Sequence, residues 1–209
     1  MEVPNPPLLL VADIGLAGDR LKAILEASLE AGCRWIMARG KTASASIIEE
    51  TTAMALRLSK KYDAYVYVNS HPEIVSKMEA HGLHLPWGWS VSKAREIVGV
   101  DVPIGVSTHS LEEAVKSYLD GADYITLSPI YESISKPGYR QGLGLHELKK
   151  VVEKVSIPVI ALGGVCPGRA RPCICHGARG VAVMGAVIQS TDPYRVVKTL
   201  VEEISCARA

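Results

Sequence analysis

Eight short runs rich in aliphatic and β-branched residues recur along the chain: "LLLVADI" (8 to 14), "RWIMARG" (34 to 40), "AYVYVNS" (64 to 70), "GLHLP" (82 to 86), "PIGVSTH" (103 to 109), "ADYITLSP" (122 to 129), "IPVIALGG" (157 to 164) and "GVAVMGAV" (180 to 187). They are nearly continuous in apolar character, as parallel strands covered on the outside by helices must be. Between them lie segments with helical spacing and charge on one face, among them "RLKAILEASLEAG", "ASIIEETTAMALRLSKKY", "SLEEAVKSYLDG" and "LHELKKVVEKV". Ser110 is placed to cap one of these, with Glu113 at the capping-box position, and Gly32 and Gly121 stand where helices end.

Strand and helix alternating eight times predict an α/β chain folded as one (β/α)8 TIM barrel, a single domain over residues 1–209. A doubly wound open sheet shares the alternation. It is disfavoured because no "GxGxxG" follows the first run, and because residues with chemical potential recur after nearly every run.

A hydrophobic content of 48% allows a large core, and 23 basic residues against 22 acidic ones leave no electrostatic footprint for nucleic acid or an anionic membrane. A small-molecule partner is expected, and a homo-oligomer stays open. No apolar run approaches the roughly 18 residues of a spanning helix, and "MEVPNPPLLL" lacks the marks of a signal peptide, so a cytoplasmic protein is expected. Five cysteines in odd number suggest reduced thiols. The cluster Cys166, Cys173, Cys175, His176 has no familiar zinc or haem spacing, so the thiols read as buried or helix-facing and no metal is expected there.

In a barrel, function gathers at the C-terminal ends of the strands. Those ends carry Asp13, then Arg39 and Lys41, Asn69 and Ser70, the turn "PWGW", Ser107 and His109, the stretch "SPIYESISKPGYRQGLG" (128 to 144), Gly163 and Gly164, and finally Met184 and Gly185. The set is polar, cationic and glycine-rich. Glycine after the last two strands lets backbone approach a phosphate, and Ser133, Ser135 and Lys136 add donors; the same composition suits a plain surface loop, but the glycines in register favour phosphate.

Arg39 and Lys41, two apart at a strand end, could face one way and clamp a second anion, or form a solvated pair. His109 is the best-placed acid/base candidate, whereas His84 reads as a buried histidine bonded to backbone. Trp87 and Trp89 could stack on a flat heteroaromatic ligand or simply pack the rim.

Over essentially its whole length the chain resembles the thiamine phosphate synthase and TenI superfamily of single-domain barrels. The likeness is densest in "IGVSTHSLEEAVKSYLDGADYITLSPIYESISKPG" and "IPVIALGGVCPGRARPCICHGARGVAVMGAV", similar to the family blocks "S-x-H-x-x-E-E-A", "GADY", "GP-I-[FY]-x-T-x-T-K", "IPV-x-A-I-GG-[IV]-x-P" and "GA-x-G-VAV-[MV]". Their order and spacing make the match specific. The synthases join a hydroxymethylpyrimidine diphosphate to a thiazole phosphate with release of pyrophosphate. The resemblance implies that Ser133, Ser135, Gly164 and Gly185 hold the thiazole phosphate. It sets Lys136 against the pyrophosphate, and Asn69, Ser107, Arg39 and Lys41 on the pyrimidine side.

The departures concern charge. Met37 and Gly40 replace a glutamine and a glutamate of the strand-two block, Asn69-Ser70 replaces "ND", and "PWGW" replaces "GQ-[DE]-D". In the synthases the carboxylates at the last two places hold Mg²⁺, and neither Gly88 nor a tryptophan supplies the hard oxygen that Mg²⁺ needs. "LHLPWGWS" is instead similar to the turn of TenI, which aromatises a thiazole phosphate tautomer by proton transfer without metal; against this, the TenI histidine at the start of the strand-six loop is Pro129 here. The resulting expectation is a metal- and cofactor-independent, TenI-like thiazole tautomerase, with His109 or Glu132 moving the proton. A thiamine phosphate synthase, which would need Mg²⁺, and a catalytically silent binder of such phosphates are the alternatives.

Overall fold

A computed structural model describes residues 2–132 and 141–208. Eight parallel strands, β1 (Leu8–Asp13), β2 (Trp35–Arg39), β3 (Tyr65–Asn69), β4 (Gly82–Leu85), β5 (Ile104–Thr108), β6 (Tyr124–Leu127), β7 (Val159–Ala161) and β8 (Gly180–Val183), close into a barrel in sequence order. The helices are α1 (Ile14–Ala17), α2 (Leu21–Glu30), α3 (Ala45–Ser59), α4 (Pro72–Met78), α5 (Val91–Val98), α6 (Leu111–Leu119), α7 (Gly144–Lys154), α8 (Ala170–Cys175), α9 (Gly185–Ile188) and α10 (Pro193–Arg208). The (β/α)8 expectation is met.

Alternation along each strand divides the core in two. Leu8, Leu10, Ile36, Val66, Val68, Leu83, Leu85 and their equivalents face out and are sealed beneath the helices. Leu9, Val11, Trp35, Met37, Tyr67, Tyr124, Ile160 and Ala182 fill the bore, with Val3 of the leading segment packed among them. Trp35, Tyr67 and Tyr124 meet edge to face with centroids 5.2 to 6.0 Å apart, the arrangement that aromatic quadrupoles favour. Such large rings fit because the inward position beside them is empty of side chain: a Cβ at Gly105 would lie 2.0 Å from the Tyr124 ring, and one at Gly82 would lie 2.5 Å from Tyr67.

Two local expectations are refined. The eighth apolar run is not all strand, since β8 stops at Val183 and Gly185 opens the short helix α9; Ala186, Val187 and Ile188 extend the hydrophobic run into a helix. At α6, Ser110 does accept from the Glu113 amide at 3.2 Å, but the Glu113 carboxylate reaches one residue further back and accepts from the His109 amide at 2.7 Å. Gly32 and Gly121 end α2 and α6 with φ of 107° and 88°, a conformation that favours glycine. No helix among the described residues is long and apolar enough to cross a membrane.

Candidate active site at the barrel mouth

The inward alternation that fills the bore continues to the strand ends and there becomes polar. On the β1 to β5 side it delivers Asp13, Arg39, Asn69, His84 and Ser107. Arg39 pairs directly with the Asp13 carboxylate, whose other oxygen accepts from the Leu16 amide at 3.0 Å and so caps α1. Asn69 donates its amide to the His84 carbonyl at 3.0 Å. The His84 ring is buried, with Nδ1 3.0 Å from the Tyr124 hydroxyl and Nε2 2.9 Å from Ser107 Oγ. Burial, reinforced by the nearby Arg39 charge, pushes its pKa down to about 3, so the ring is neutral at ordinary pH.

The sequence reading gave His84 a backbone partner; its ring instead joins side chains of β5 and β6. In "GLHLP" the alternation of Leu83 and Leu85 outward with Gly82 and His84 inward is the signal that locates it. Lys41 is different: β2 ends at Arg39 and Lys41 is exposed in the bend beyond, so the strand argument for aiming both cations one way does not hold.

Trp87 and Trp89 are 36% and 50% exposed, and they line a cleft with Val106, Lys116, Ser117 and Asp120, on the outer side of the barrel wall. The structure groups them with the helices rather than with the polar ring of the mouth.

On the other side, the β6 loop lies over the end of β7. The Ile130 and Tyr131 amides donate to the Leu162 and Gly163 carbonyls at 2.9 and 3.0 Å. Gly163 and Gly164 have φ of 92° and 65°, and a Cβ on them would fall 2.5 Å from Pro129 and 2.6 Å from the Glu132 carbonyl. The close approach these glycines permit is therefore first to the loop. Arg169 holds the same corner by donating to the Gly164 carbonyl at 3.0 Å and lying over the Tyr131 ring. Met184 and Gly185, half-buried at the start of α9, complete this side. Glu132 is exposed, and Ser133, Ser135 and Lys136 lie outside the described residues.

His109 stands between the two sides. Its Nδ1 lies 2.8 Å from the Ser128 carbonyl and 3.2 Å from Ser128 Oγ. A carbonyl only accepts, so Nδ1 is the donor in this bond, and in the neutral ring Nε2 is the acceptor.

The family's Mg²⁺ does not fit this donor set. Ser70 and Gly88 stand where the carboxylates are expected, Asp13 is committed to Arg39 and α1, and no three His, Cys, Asp or Glu gather among the described residues. Of the cysteine cluster, Cys173 is buried, its thiol on the Arg169 carbonyl at 3.3 Å, whereas Cys175 is exposed.

The chain and its eight-stranded barrel have close counterparts. The chain is 35% identical over 186 residues to the thiamine biosynthesis bifunctional protein ThiM/ThiE of Symbiobacterium thermophilum, covering 88% of this chain but only 39% of that longer protein. It is 34% identical over 197 residues to the thiamine-phosphate synthase of Chloroflexus aurantiacus, covering 92% of this chain and 90% of the relative. The solved thiamine phosphate pyrophosphorylase of Pyrococcus furiosus superposes with a TM-score of 0.87 at 28% identity, over 97% and 96% of the two chains. The family model described as thiamine monophosphate synthase matches residues 8–187, from the first barrel strand to the helix after the last, and the chain belongs to that family.

Proposed function

We propose that the chain is a thiamine-phosphate synthase, a transferase joining a pyrimidine diphosphate to a thiazole phosphate with loss of pyrophosphate. The observation that carries this reading is the two-sided mouth: Arg39, Asn69 and Ser107 bound through Asp13 and His84 on one side, and the glycine corner of β7 and β8 on the other. Two phosphorylated substrates that must meet need two such half-sites. The Chloroflexus relative named a thiamine-phosphate synthase, with the family model of like name, favours this transferase over the tautomerase expected from the "PWGW" turn.

In this reading Arg39, kept extended by Asp13, meets the charge that grows on the departing diphosphate. Ser107, set by His84, offers its hydroxyl to the pyrimidine substrate. The backbone of Gly163 to Gly164 and of Met184 to Gly185 receives the thiazole phosphate. Ser70 and Gly88 in the Mg²⁺ positions mean that no step is assigned to a metal. The proton-transfer reading keeps one specific support, the His109 ring held through Nδ1 on the Ser128 carbonyl.

The test is to mix the protein with both substrates, with and without Mg²⁺, and to follow thiamine phosphate and pyrophosphate by chromatography. Stoichiometric formation of both, lost in Arg39→Ala, is the expected result. Absence of product, together with accelerated aromatisation of the thiazole tautomer that His109→Ala abolishes, would replace the synthase by the tautomerase.

A further inference from the structure

A line of hydrogen bonds runs from the filled bore of the barrel to its open mouth. The Tyr124 hydroxyl lies 3.0 Å from His84 Nδ1, and His84 Nε2 lies 2.9 Å from Ser107 Oγ. Tyr124 is fully buried and His84 is 2% exposed, whereas Ser107, at the end of β5, keeps part of its surface. Only at Ser107 is the line open to a ligand.

Its closed end fixes its direction. Burial holds the His84 pKa at about 3, so the ring is neutral at ordinary pH and carries one N–H and one lone pair. Burial also raises the Tyr124 phenol well above its ordinary 10, so its O–H is retained. That hydrogen has no acceptor but Nδ1 among the described residues. Were Nδ1 the donor, the phenol hydrogen would be buried and unmet, the more costly arrangement. Nδ1 therefore accepts, and the ring hydrogen sits on Nε2. From there it is donated to Ser107 Oγ, because the other neighbour of Nε2, Thr126 Oγ1, is 3.5 Å away, at the limit of a hydrogen bond.

The consequence falls on Ser107. A hydroxyl has one hydrogen and two lone pairs. If Ser107 gave its hydrogen to the histidine, only lone pairs would face the mouth, and the site would recognise a donor. With one lone pair taken by Nε2–H, the hydrogen remains for an acceptor, and the ring nitrogens of a pyrimidine are acceptors.

We propose that Tyr124, acting through the tautomer of His84, is a positioning residue that turns the Ser107 hydroxyl into a hydrogen-bond donor toward a ring nitrogen of the pyrimidine substrate. The tautomer is a property of the free protein; the ligand rests on the synthase reading of the mouth.

The experiment keeps the two apart. In protein carrying ¹⁵N-labelled histidine and no ligand, the His84 ring N–H signal is identified by its loss in His84→Gln. It is expected from Nε2, recognised because that nitrogen couples to both carbon-bound ring protons. A hydrogen on Nδ1 overturns the proposal whatever the mouth binds.

Affinity for hydroxymethylpyrimidine diphosphate is then measured by calorimetry without the thiazole phosphate. Ser107→Ala is expected to weaken binding about tenfold, and Tyr124→Phe, which keeps the ring in the bore, about threefold. Added to Ser107→Ala, Tyr124→Phe is expected to cost nothing more, since its effect passes through that hydroxyl. The same loss in both backgrounds would make Tyr124 merely structural and overturn the proposal. A protein with its hydrogen on Nε2 that does not bind the diphosphate upholds the Tyr124–His84 relay and overturns the synthase reading instead.

Discussion

His84 Nε2 and Ser107 Oγ lie 2.9 Å apart in the bore, and the opposite ring nitrogen of His84 lies 3.0 Å from the Tyr124 hydroxyl. One neutral imidazole thus ties β4 to both β5 and β6 just below the mouth. With its pKa lowered from 6.5 to about 3, the unfolded chain binds a proton below pH 6.5 that the native chain refuses. The His84 contribution is therefore complete above pH 6.5 and declines as pH falls through the window from 6.5 to about 3. Urea unfolding at about pH 7.5 and about pH 5 should show the parent losing up to roughly 1.4 kcal/mol per pH unit through this group. His84→Gln, less stable at neutral pH, should lose less between the two; equal losses would refute a neutral buried ring.

Asp13 serves Arg39 and the α1 amide together, and the two roles separate by substitution. Asp13→Asn keeps an oxygen for the Leu16 amide and gives up the ion pair, whereas Asp13→Ala gives up both. Thermal denaturation should rank them parent, Asn, Ala, with a cap contribution of about 1 kcal/mol between the last two. In the synthase assay the two variants should be similarly impaired, since both release Arg39.

Gly163→Ala should be among the more damaging single-methyl additions in the chain. It sets a Cβ 2.5 Å from the Pro129 backbone in a left-handed conformation, so either the β6 loop lifts or the strand end distorts. A loss of about 3 kcal/mol or more is expected by chemical denaturation, against about 1 kcal/mol for Gly88→Ala, where φ is also positive but nothing lies within 4 Å. Equal effects would mean that strain alone, and not the loop, matters at Gly163.

Burial pushes the Cys33 and Cys173 thiols up to about 11, while Cys175 and Cys206 are exposed. Brief alkylation of the native protein at neutral pH, read by peptide mass spectrometry, should label Cys175 and Cys206 and spare Cys33 and Cys173. Labelling of Cys173 at the rate of Cys175 would contradict its burial.

The barrel was legible because strands buried on both faces must be written as apolar runs, and all eight were. Their ends were less so. "MGAVI" after β8 is as apolar as the strand, and no period within so short a stretch separates α9 from a continued strand. Asp13, Arg39, Asn69 and Ser107 were recognised because they stand at the C-terminal ends of the apolar runs, and the structure finds them in phase with the inward side chains. The strand argument does not reach Lys41, because β2 ends at Arg39. His84 was in phase too, but its partners Tyr124 and Ser107 are 40 and 23 residues away, and only closure of the barrel brings them together. The direction of Trp87 and Trp89 depends on a turn whose positive φ at Gly88 carries no directional signature in sequence.

Trp35, Tyr67 and Tyr124 stopper the bore beneath the polar ring, with Val3 among the residues packed below. On the reading proposed above, the mouth is then both entrance and exit, a vestibule that both substrates and both products share because three aromatic rings close the far end.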